Sequence, residues 1–259
     1  MKAYDNFGNI VVVKFKKKAS LRNKKKFAER LLKEQRGVRT VLEKKEKIKG
    51  RLRKLSTNYI AGEKTKEVLY KENGCVFRFN IDDTYFSPRL SGERKEIASK
   101  IKKGETVLVM FAGVAPYSIV IAKLSKAKKV FSNEINRKAN KYAELNIRLN
   151  KVKDRIELVS GDVKKVAEKL CKKKGRFDVI VMPRPQLKDS FLKETFKLSK
   201  KNTRIYYYDF CKIDEINSIV EKIKKEAKKA GKKIKILKIK KAGELAPYKI
   251  RLRVDFQVV

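Results

Sequence analysis

Short apolar runs of strand length come first along the chain. Residues 9–15 carry Ile10, Val11, Val12, Val13 and Phe15, a β-branched run that predicts a strand. Ser20 stands where it can cap a basic helix running through Gln35, with Gly37 as the stop. Residues 38–42, 58–61, 67–70 and 75–81 read as further strands. Glu72-Asn73-Gly74, between the last two, signals a hairpin, because a two-residue turn of the right twist needs positive φ at both central positions. Residues 1–86 are therefore expected to form a small α+β domain. From Leu90 the pattern changes to strand, helix, strand, helix. Residues 106–112, 129–132, 156–160, 177–182 and 203–210 are apolar strand candidates, with helices expected to begin near Pro116, Arg137, Val163 and Leu187. Ala139, Tyr142, Ala143, Leu145 and Ile147 recur at near-helical spacing in the second of these. Such alternation implies a parallel sheet with helices on both faces. After a helix over 215–230, the last strand candidates, 233–239 and 250–258, follow one another directly and must pair antiparallel at one edge. Residues 87–259 are thus expected to form a Rossmann-like α/β domain with a seven-stranded, mostly parallel sheet.

Composition narrows the partners. Of 259 residues, 42% are apolar, enough to bury a core, and 38% are charged. Lys and Arg number 70 against 29 Asp and Glu, a net charge of +41. A surface so one-sided repels itself, and a polyanion is the simplest partner. Each cation that neutralises a phosphate releases a condensed counterion, which gives strong, salt-dependent binding. A Lys-rich style of heat-adapted proteins would raise Glu together with Lys, and here Glu lags. The chain has no histidine, which removes Ser-His and Cys-His nucleophile pairs and most zinc sites. Cys75, Cys171 and Cys211 are far apart without a CxxC pair, and read as buried small hydrophobes in a reducing compartment, with no metal expected. The N-terminus lacks a signal-peptide core, and the most apolar stretch, 106–122, is interrupted by Gly113 and Pro116. A cytoplasmic, soluble, monomeric protein is expected.

Candidate chemistry sits at the strand ends. The first long strand runs into Phe111-Ala112-Gly113-Val114-Ala115-Pro116. In an open α/β sheet, ligands bind beyond the carboxyl ends of the strands at the switch point. A dinucleotide fingerprint would read GxGxxG, but Ala115 replaces the second glycine and a proline follows. That departure argues against a pyrophosphate and suits the amino-acid end of S-adenosylmethionine, although a tight strand–helix turn explains the loop equally well. Glu134 ends the second strand, where it could accept both hydroxyls of an adenosine ribose or be a solvated loop acid. Asp162, after the third, could accept from an adenine amino group. A seven-stranded sheet closing in an antiparallel pair is also the usual form of methyltransferases that use this cofactor.

The block Asp83-Thr84-Tyr85-Phe86-Ser87-Pro88-Arg89-Leu90-Ser91-Gly92-Glu93-Arg94 resembles the archaeal and eukaryotic tRNA (guanine-37-N1)-methyltransferases. Further matches are Ile60-Ala61-Gly62-Glu63, Lys71-Glu72-Asn73-Gly74, Met110-Phe111-Ala112-Gly113-Val114 and Leu145-Asn146-Ile147-Arg148-Leu149-Asn150. Met182-Pro183-Arg184-Pro185 matches the Pro-x-Pro form of one archaeal branch. The resemblance covers nearly the whole chain in order. It implies methyl transfer from S-adenosyl-L-methionine to N1 of guanosine 37, beside the anticodon. It assigns Glu93 as general base and Arg53 as the cation that holds charge on O6. Pro183 and Pro185 become a rigid edge against an extruded base, Pro183 also bordering the donor. Phe111, Ala112, Gly113, Val114, Glu134 and Asp162 bind the cofactor in this reading. Tyr85, Ser87, Arg89, Arg94 and Arg184 face the tRNA, Arg89 and Arg94 either contacting it or ordering their loop.

Three departures accompany the likeness. Val109 stands where the family usually has Asp, and Arg184 adds a cation beside the target base for which a phosphate contact is one role. Full-length members carry an N-terminal domain that checks the outer corner of tRNA, whereas this chain starts at the small middle domain, so general attraction by lysine is expected to substitute. Two rivals remain open at this stage. One is an aminocarboxypropyltransferase of the wyosine pathway, the other a non-catalytic RNA-binding protein on the same fold. The Pro-x-Pro branch also includes members that methylate the tricyclic wyosine intermediate.

Overall fold

The computed structural model describes residues 4–16, 18–45 and 55–259. Its N-terminal part is a four-stranded sheet with spatial order β1 (Tyr4–Asn6), β2 (Ile10–Val13), β3 (Thr40–Lys44) and β4 (Thr57–Gly62). β2 and β3 run parallel, and helix α1 (Leu21–Glu34) makes the crossover between them. Ser20 caps the helix, its hydroxyl accepting the Asn23 N–H at 3.3 Å. Ala28 and Leu31 are buried with Val11, Val13 and Val41 of the sheet. The helix ends at Gln35 in extended backbone, its N–H bonded to the Leu31 carbonyl, so Gly37 is not the stop. β1 has no apolar alternation to announce it, and exists through its antiparallel pairing with β2. Next comes the hairpin β5 (Glu67–Glu72) and β6 (Cys75–Asn80), closed by Asn73 and Gly74 with φ of 49° and 69°, the mirror-image turn that the sequence implied.

The remaining elements are α2 (Ser91–Ser99), β7 (Thr106–Met110), α3 (Pro116–Leu124), β8 (Lys129–Glu134), α4 (Arg137–Leu149), β9 (Ile156–Ser160), α5 (Val163–Lys174), β10 (Phe177–Met182), α6 (Leu192–Lys197), β11 (Ser199–Lys212), α7 (Ile216–Lys229), β12 (Ile234–Ala246) and β13 (Lys249–Val258). One seven-stranded sheet results, ordered β12-β13-β11-β10-β7-β8-β9. Its strands are parallel except that β13 runs antiparallel to both β11 and β12. The expected α/β class, sheet size and antiparallel edge are all present. The sixth helix begins at Leu192 rather than near Leu187: residues 183–191 form an open loop, pinned where the Asp189 carboxylate accepts the Phe191 N–H at 2.8 Å. Lysines 235, 238, 240 and 241 dot β12, which suits an edge strand that must not pair with another chain.

The hairpin belongs physically to both parts. Asn146 on α4 and Asn150, which caps its C-terminus, lie one turn apart and act as a surrogate strand for β6. The Asn146 side chain accepts the Arg78 N–H at 2.7 Å and donates to the Arg78 carbonyl at 3.1 Å. Asn150 repeats the pattern on Val76 at 2.9 and 2.7 Å. Each such bond contributes about 1 kcal/mol net, and leaving these backbone groups unpaired would cost more. A single apolar cluster also runs from Phe7, Ile10 and Leu42 of the small sheet through Phe77 and Phe79 to Val107, Ile119 and Val181. Apolar side chains from both sides of residue 86 thus share one core. Cys75 and Cys211 are buried, which pushes both thiols up to about 11, while Cys171 is only half-buried, against the expectation for all three. No helix among the described residues is long and apolar enough to cross a membrane.

Candidate active site

β7 lies between β8 and β10, and the chain leaves it toward β8 and β9 before crossing back to β10. The carboxyl ends of β7 and β10 therefore flank the switch point, where an open sheet leaves a crevice. The loop following β7 takes left-handed backbone at Phe111, Gly113 and Ala115, with φ of 58°, 58° and 66°. Left-handed residues spaced in this way curl the backbone into a concavity that can turn N–H groups toward an anion. Two of the three are not glycine, a strain of about 1 kcal/mol or more each that the packed surroundings must hold in place. A Cβ on Gly113 would stand 3.2 Å from the Tyr85 carbonyl oxygen, so the Tyr85 segment closes directly over the loop.

Glu134 fastens this loop to the end of β8. Its carboxylate accepts the Gly113 N–H at 2.7 Å through one oxygen and the Asn136 N–H at 2.7 Å through the other. Burial pushes its carboxyl up, against the hydrogen bonds from Asn136 and Gly113. Each oxygen keeps a lone pair for a ligand hydroxyl. The pocket above encloses about 830 Å³ including its solvent-filled mouth. Phe111, Ala112, Gly113 and Glu134 line it together with Tyr85, Ser87, Pro183 and Pro185, residues that are far apart in the chain. An adjoining slot of about 310 Å³ shares Phe111 and Pro185 and holds Asp162, Leu187 and Phe191. Asp162 caps α5 by accepting the Lys164 N–H at 3.1 Å. A wider groove of about 1390 Å³ leads from Tyr85, Ser87, Phe210 and Arg251 toward Arg89, Asp5 and Lys44 on the small sheet.

The charged residues singled out in the sequence take unequal places. Glu93 is 7% exposed and does not line the pocket. One of its oxygens accepts from the Tyr208 hydroxyl at 2.9 Å and from Arg253 at 2.6 Å, and the other pairs with Lys240. Arg253 also holds Glu96 and Asp255. Arg94 borders the pocket, but its guanidinium is fully buried, bidentate on Glu72 and bonded to the Ser87 carbonyl at 3.0 Å. It orders the loop, one of its two expected roles. Arg184 differs from the expected phosphate contact: it pairs with Asp209 and donates to the carbonyls of Leu187 and Asp189 at 2.8 Å, bracing the loop after β10 from within. Arg89 is exposed and paired with Asp5, which ties the block to the small sheet. Val114 is buried in the core, behind the loop. Arg53 lies outside the described residues.

The sequence reading missed Tyr117, Tyr208, Phe210 and Arg251, which complete the pocket wall. Tyr208 and Phe210 lie toward the carboxyl end of β11, and their cross-strand partners on β13 are Arg253 and Arg251. A signal existed: the aromatic run Tyr206-Tyr207-Tyr208-Asp209-Phe210 ends the fifth parallel strand at the same edge as Gly113 and Glu134.

Residues 68–237 match the family described as TRM5/TYW2 methyltransferase domain, and residues 1–65 match the TYW2 N-terminal domain. The chain is 32% identical over 257 residues to the tRNA (guanine(37)-N(1))-methyltransferase Trm5b of Pyrococcus abyssi, a match covering 99% of this chain and 74% of the relative. It is 31% identical to the tRNA (guanine(37)-N(1))/4-demethylwyosine(37)-methyltransferase Taw22 of Nanoarchaeum equitans, across 99% of this chain and all of that one. The crystal structure of the P. abyssi Trm5b superposes with a TM-score of 0.86 at 31% identity, covering 99% of this chain and 74% of that one. A complex of aTrm5 with tRNALeu superposes at 0.85 with 27% identity, over 99% and 72% of the two chains. The pocket at the switch point, the ordered Tyr85–Arg94 loop over it and these matches agree, and the chain belongs to the TRM5/TYW2 methyltransferase family.

Proposed function

We propose that this protein transfers a methyl group from S-adenosyl-L-methionine to N1 of guanosine 37 in tRNA, beside the anticodon. The observation that carries the reading is one pocket in which the strand-end pair Gly113 and Glu134 meets the Tyr85–Ser87 segment and the prolines at 183 and 185. The residues present fit the donor. The concave backbone at 111–115 suits its amino-acid end, Glu134 has lone pairs for the ribose hydroxyls, and Asp162 stands in the apolar slot as the acceptor for an adenine amino group. When bound, S-adenosyl-L-methionine supplies a methyl group on an electron-poor sulfonium. The chain's own residues must then place guanine N1 in line and take the proton it carries at neutral pH.

In this reading Pro183 and Pro185 form the edge against which an unstacked base rests, since a base in the anticodon loop has to leave its stack to be reached. Glu93 accepts the proton. Its Oε2 already accepts from Tyr208 and Arg253, so the proton goes to Oε1, where Lys240, with one-third of its side chain exposed, is the partner free to give way. Tyr208, which lines the pocket and bonds Glu93, connects that carboxylate to the base. The net charge of +41 draws the phosphates of tRNA onto the surface around this pocket. Methylation of the tricyclic base 4-demethylwyosine is a second activity, favoured by the full-length match to the bifunctional Nanoarchaeum relative.

The test is incubation of an unmodified tRNA transcript with S-adenosyl-L-methionine carrying label on the methyl carbon, followed by mass analysis of nucleosides. N1-methylguanosine at position 37 supports the reading. An aminocarboxypropyl adduct, or no adduct, overturns it. A tRNA bearing 4-demethylwyosine tests the second activity in the same assay.

A further inference from the structure

The tip of the β12–β13 hairpin carries side chains that the fold does not use. All residues from 243 to 249 are exposed, although β13 also pairs with β11 and so roots the tip in the large sheet. Pro247 and Tyr248 make the turn, with Ala246 opposite Lys249. Tyr248 takes left-handed backbone there, with φ of 59°, at a place that favours glycine or asparagine and strains a bulky residue. Its carbonyl is anchored by the Ile213 N–H at 3.1 Å. Its ring is not anchored: Tyr248 is 76% exposed, and among the described residues it meets no other ring and its hydroxyl makes no hydrogen bond. Leu245, on the strand before the turn, and Ile213 are exposed as well. Lys212 and Lys249 face each other directly across β11 and β13, an opposition of like charges that is destabilising. Neither ammonium forms an ion pair among the described residues, and Glu215, close by, accepts the Lys212 backbone N–H at 2.7 Å. The tip also continues the wide groove, since Glu244 and Leu245 line it together with Tyr85, Phe210 and Arg251. Phe210, in the pocket wall, precedes Lys212 by two residues, about 7 Å along the strand.

We propose that this tip is a stacking platform for RNA: the Tyr248 ring holds a base of the anticodon loop adjoining the one in the pocket, and Lys212 and Lys249 take the phosphates beside it. The tRNA comes from the proposed function, on which this inference rests. Sites for single-stranded RNA combine these two parts, cations that follow the backbone and an aromatic face for a base. Extruding guanosine 37 strips a stacking partner from its neighbours, and an aromatic ring at the groove's end replaces it. The step from the pocket wall to Lys212 is short enough for the next nucleotide of an unstacked strand to span. Every base has a π-face, so the tip positions the strand and does not choose its sequence. The strained backbone at Tyr248 and the facing lysines are then parts of a contact that is complete only with RNA in place.

The experiment measures the Kd of tRNA transcript over a series of salt concentrations for wild type, Tyr248→Ala, Tyr248→Phe and the double variant Lys212→Gln/Lys249→Gln, each shown by urea unfolding to be folded. Loss of one stacked base should weaken binding about 10- to 100-fold in Tyr248→Ala, with Tyr248→Phe close to wild type. The salt slope should stay constant in Tyr248→Ala, which loses no phosphate contact, and shrink by about 0.7 per lysine in the double variant. In turnover, KM for tRNA follows Kd while kcat is kept. 2-Aminopurine placed in the transcript on either side of guanosine 37 gives a signal that a merely structural residue would not move. Wild type and Tyr248→Phe should quench one of the two probes, and Tyr248→Ala neither. Equal affinity of wild type and Tyr248→Ala, or quenching kept in Tyr248→Ala, would overturn the proposal. A change from dimer to monomer on Tyr248→Ala, seen by sedimentation of the free protein, would make the tip a contact between copies and overturn it as well. If wild type makes no N1-methylguanosine, the proposed reaction is wrong while Kd and quenching still decide the stack. An active wild type that binds tRNA no better than Tyr248→Ala sinks this inference alone.

Discussion

Replacing Arg94 by Met separates an internal strut from an RNA contact. The side chains of Arg94 and Glu72 are 1% and 3% exposed, and the pair is bidentate. The same guanidinium reaches the Ser87 carbonyl at 3.0 Å and lies 5.0 Å from the Phe86 ring and 5.8 Å from Tyr117. Arg94→Met leaves the Glu72 carboxylate buried without its partner, which costs about 3–5 kcal/mol in comparable pairs. For a chain of this length about 2 °C of Tm is lost per kcal/mol, so Tm falls by roughly 6–10 °C. The double variant Glu72→Met/Arg94→Met removes both charges and returns most of the loss, because the apolar pair needs no desolvation. Urea unfolding supplies the measurement, with the midpoint moving and its slope constant. Donor affinity also falls in the single variant, since Ser87 and the Tyr85 carbonyl above Gly113 lose their brace. A single variant as stable as wild type but weak for tRNA would refute the strut. A double variant no more stable than the single would refute the argument from an uncompensated charge.

Four further outcomes are expected. Glu93→Gln lowers kcat by about 10²- to 10⁴-fold with donor affinity kept, and undiminished turnover in rapid-quench assays would remove Glu93 from the base role. Glu134→Ala weakens donor binding about 10- to 100-fold by calorimetry, through lost charged hydrogen bonds and a loosened Gly113. Because burial raises the Glu134 carboxyl, wild-type affinity should decline on acidification sooner than an ordinary glutamate would allow, and a flat profile down to the usual carboxylate range would contradict this. The Arg253 hydrogen bond holds Glu96 down from 4.5 to about 2. A depressed carboxylate stabilises the fold above its unfolded value and loses that contribution as pH falls through the folded one. Stability should therefore drain away as pH falls from 4.5 toward 2, by less than the full shift would give because the pair is largely solvated, and Glu96→Gln should flatten the acid limb of the stability curve.

Periodicity carried most of the fold. Strands such as Ile156–Ser160 and Phe177–Met182 are short apolar runs between turn residues, and the Asn73-Gly74 turn follows from backbone sterics alone. β1 was illegible because Tyr-Asp-Asn has no pattern of its own and is a strand only by pairing with β2. The open loop 183–191 escaped because its brace, Arg184 on Asp209, joins residues 25 apart. For the candidate site, the strand-end logic pointed to Gly113 and Glu134, which line the pocket, and to Asp162, which lines the adjoining slot. Partners were the hidden part. The sequence cannot show that Arg94 on α2 faces Glu72 on β5, or that Glu93 lies behind Tyr208, since both contacts join segments far apart in the chain. Asn146 and Asn150 stood out only as part of the resemblance, and the structure supplies their cause in the backbone of β6.

The most direct measurement is a crystal structure of the protein with S-adenosylhomocysteine and an anticodon stem-loop carrying guanosine 37. The account predicts ribose hydroxyls on Glu134, adenine in the slot with Asp162, and an extruded guanine between Pro183 and Tyr85 with N1 facing the sulfur. A nucleoside bound elsewhere, or a guanine left stacked in its loop with the pocket walled off by Phe111 and Tyr85, would contradict it.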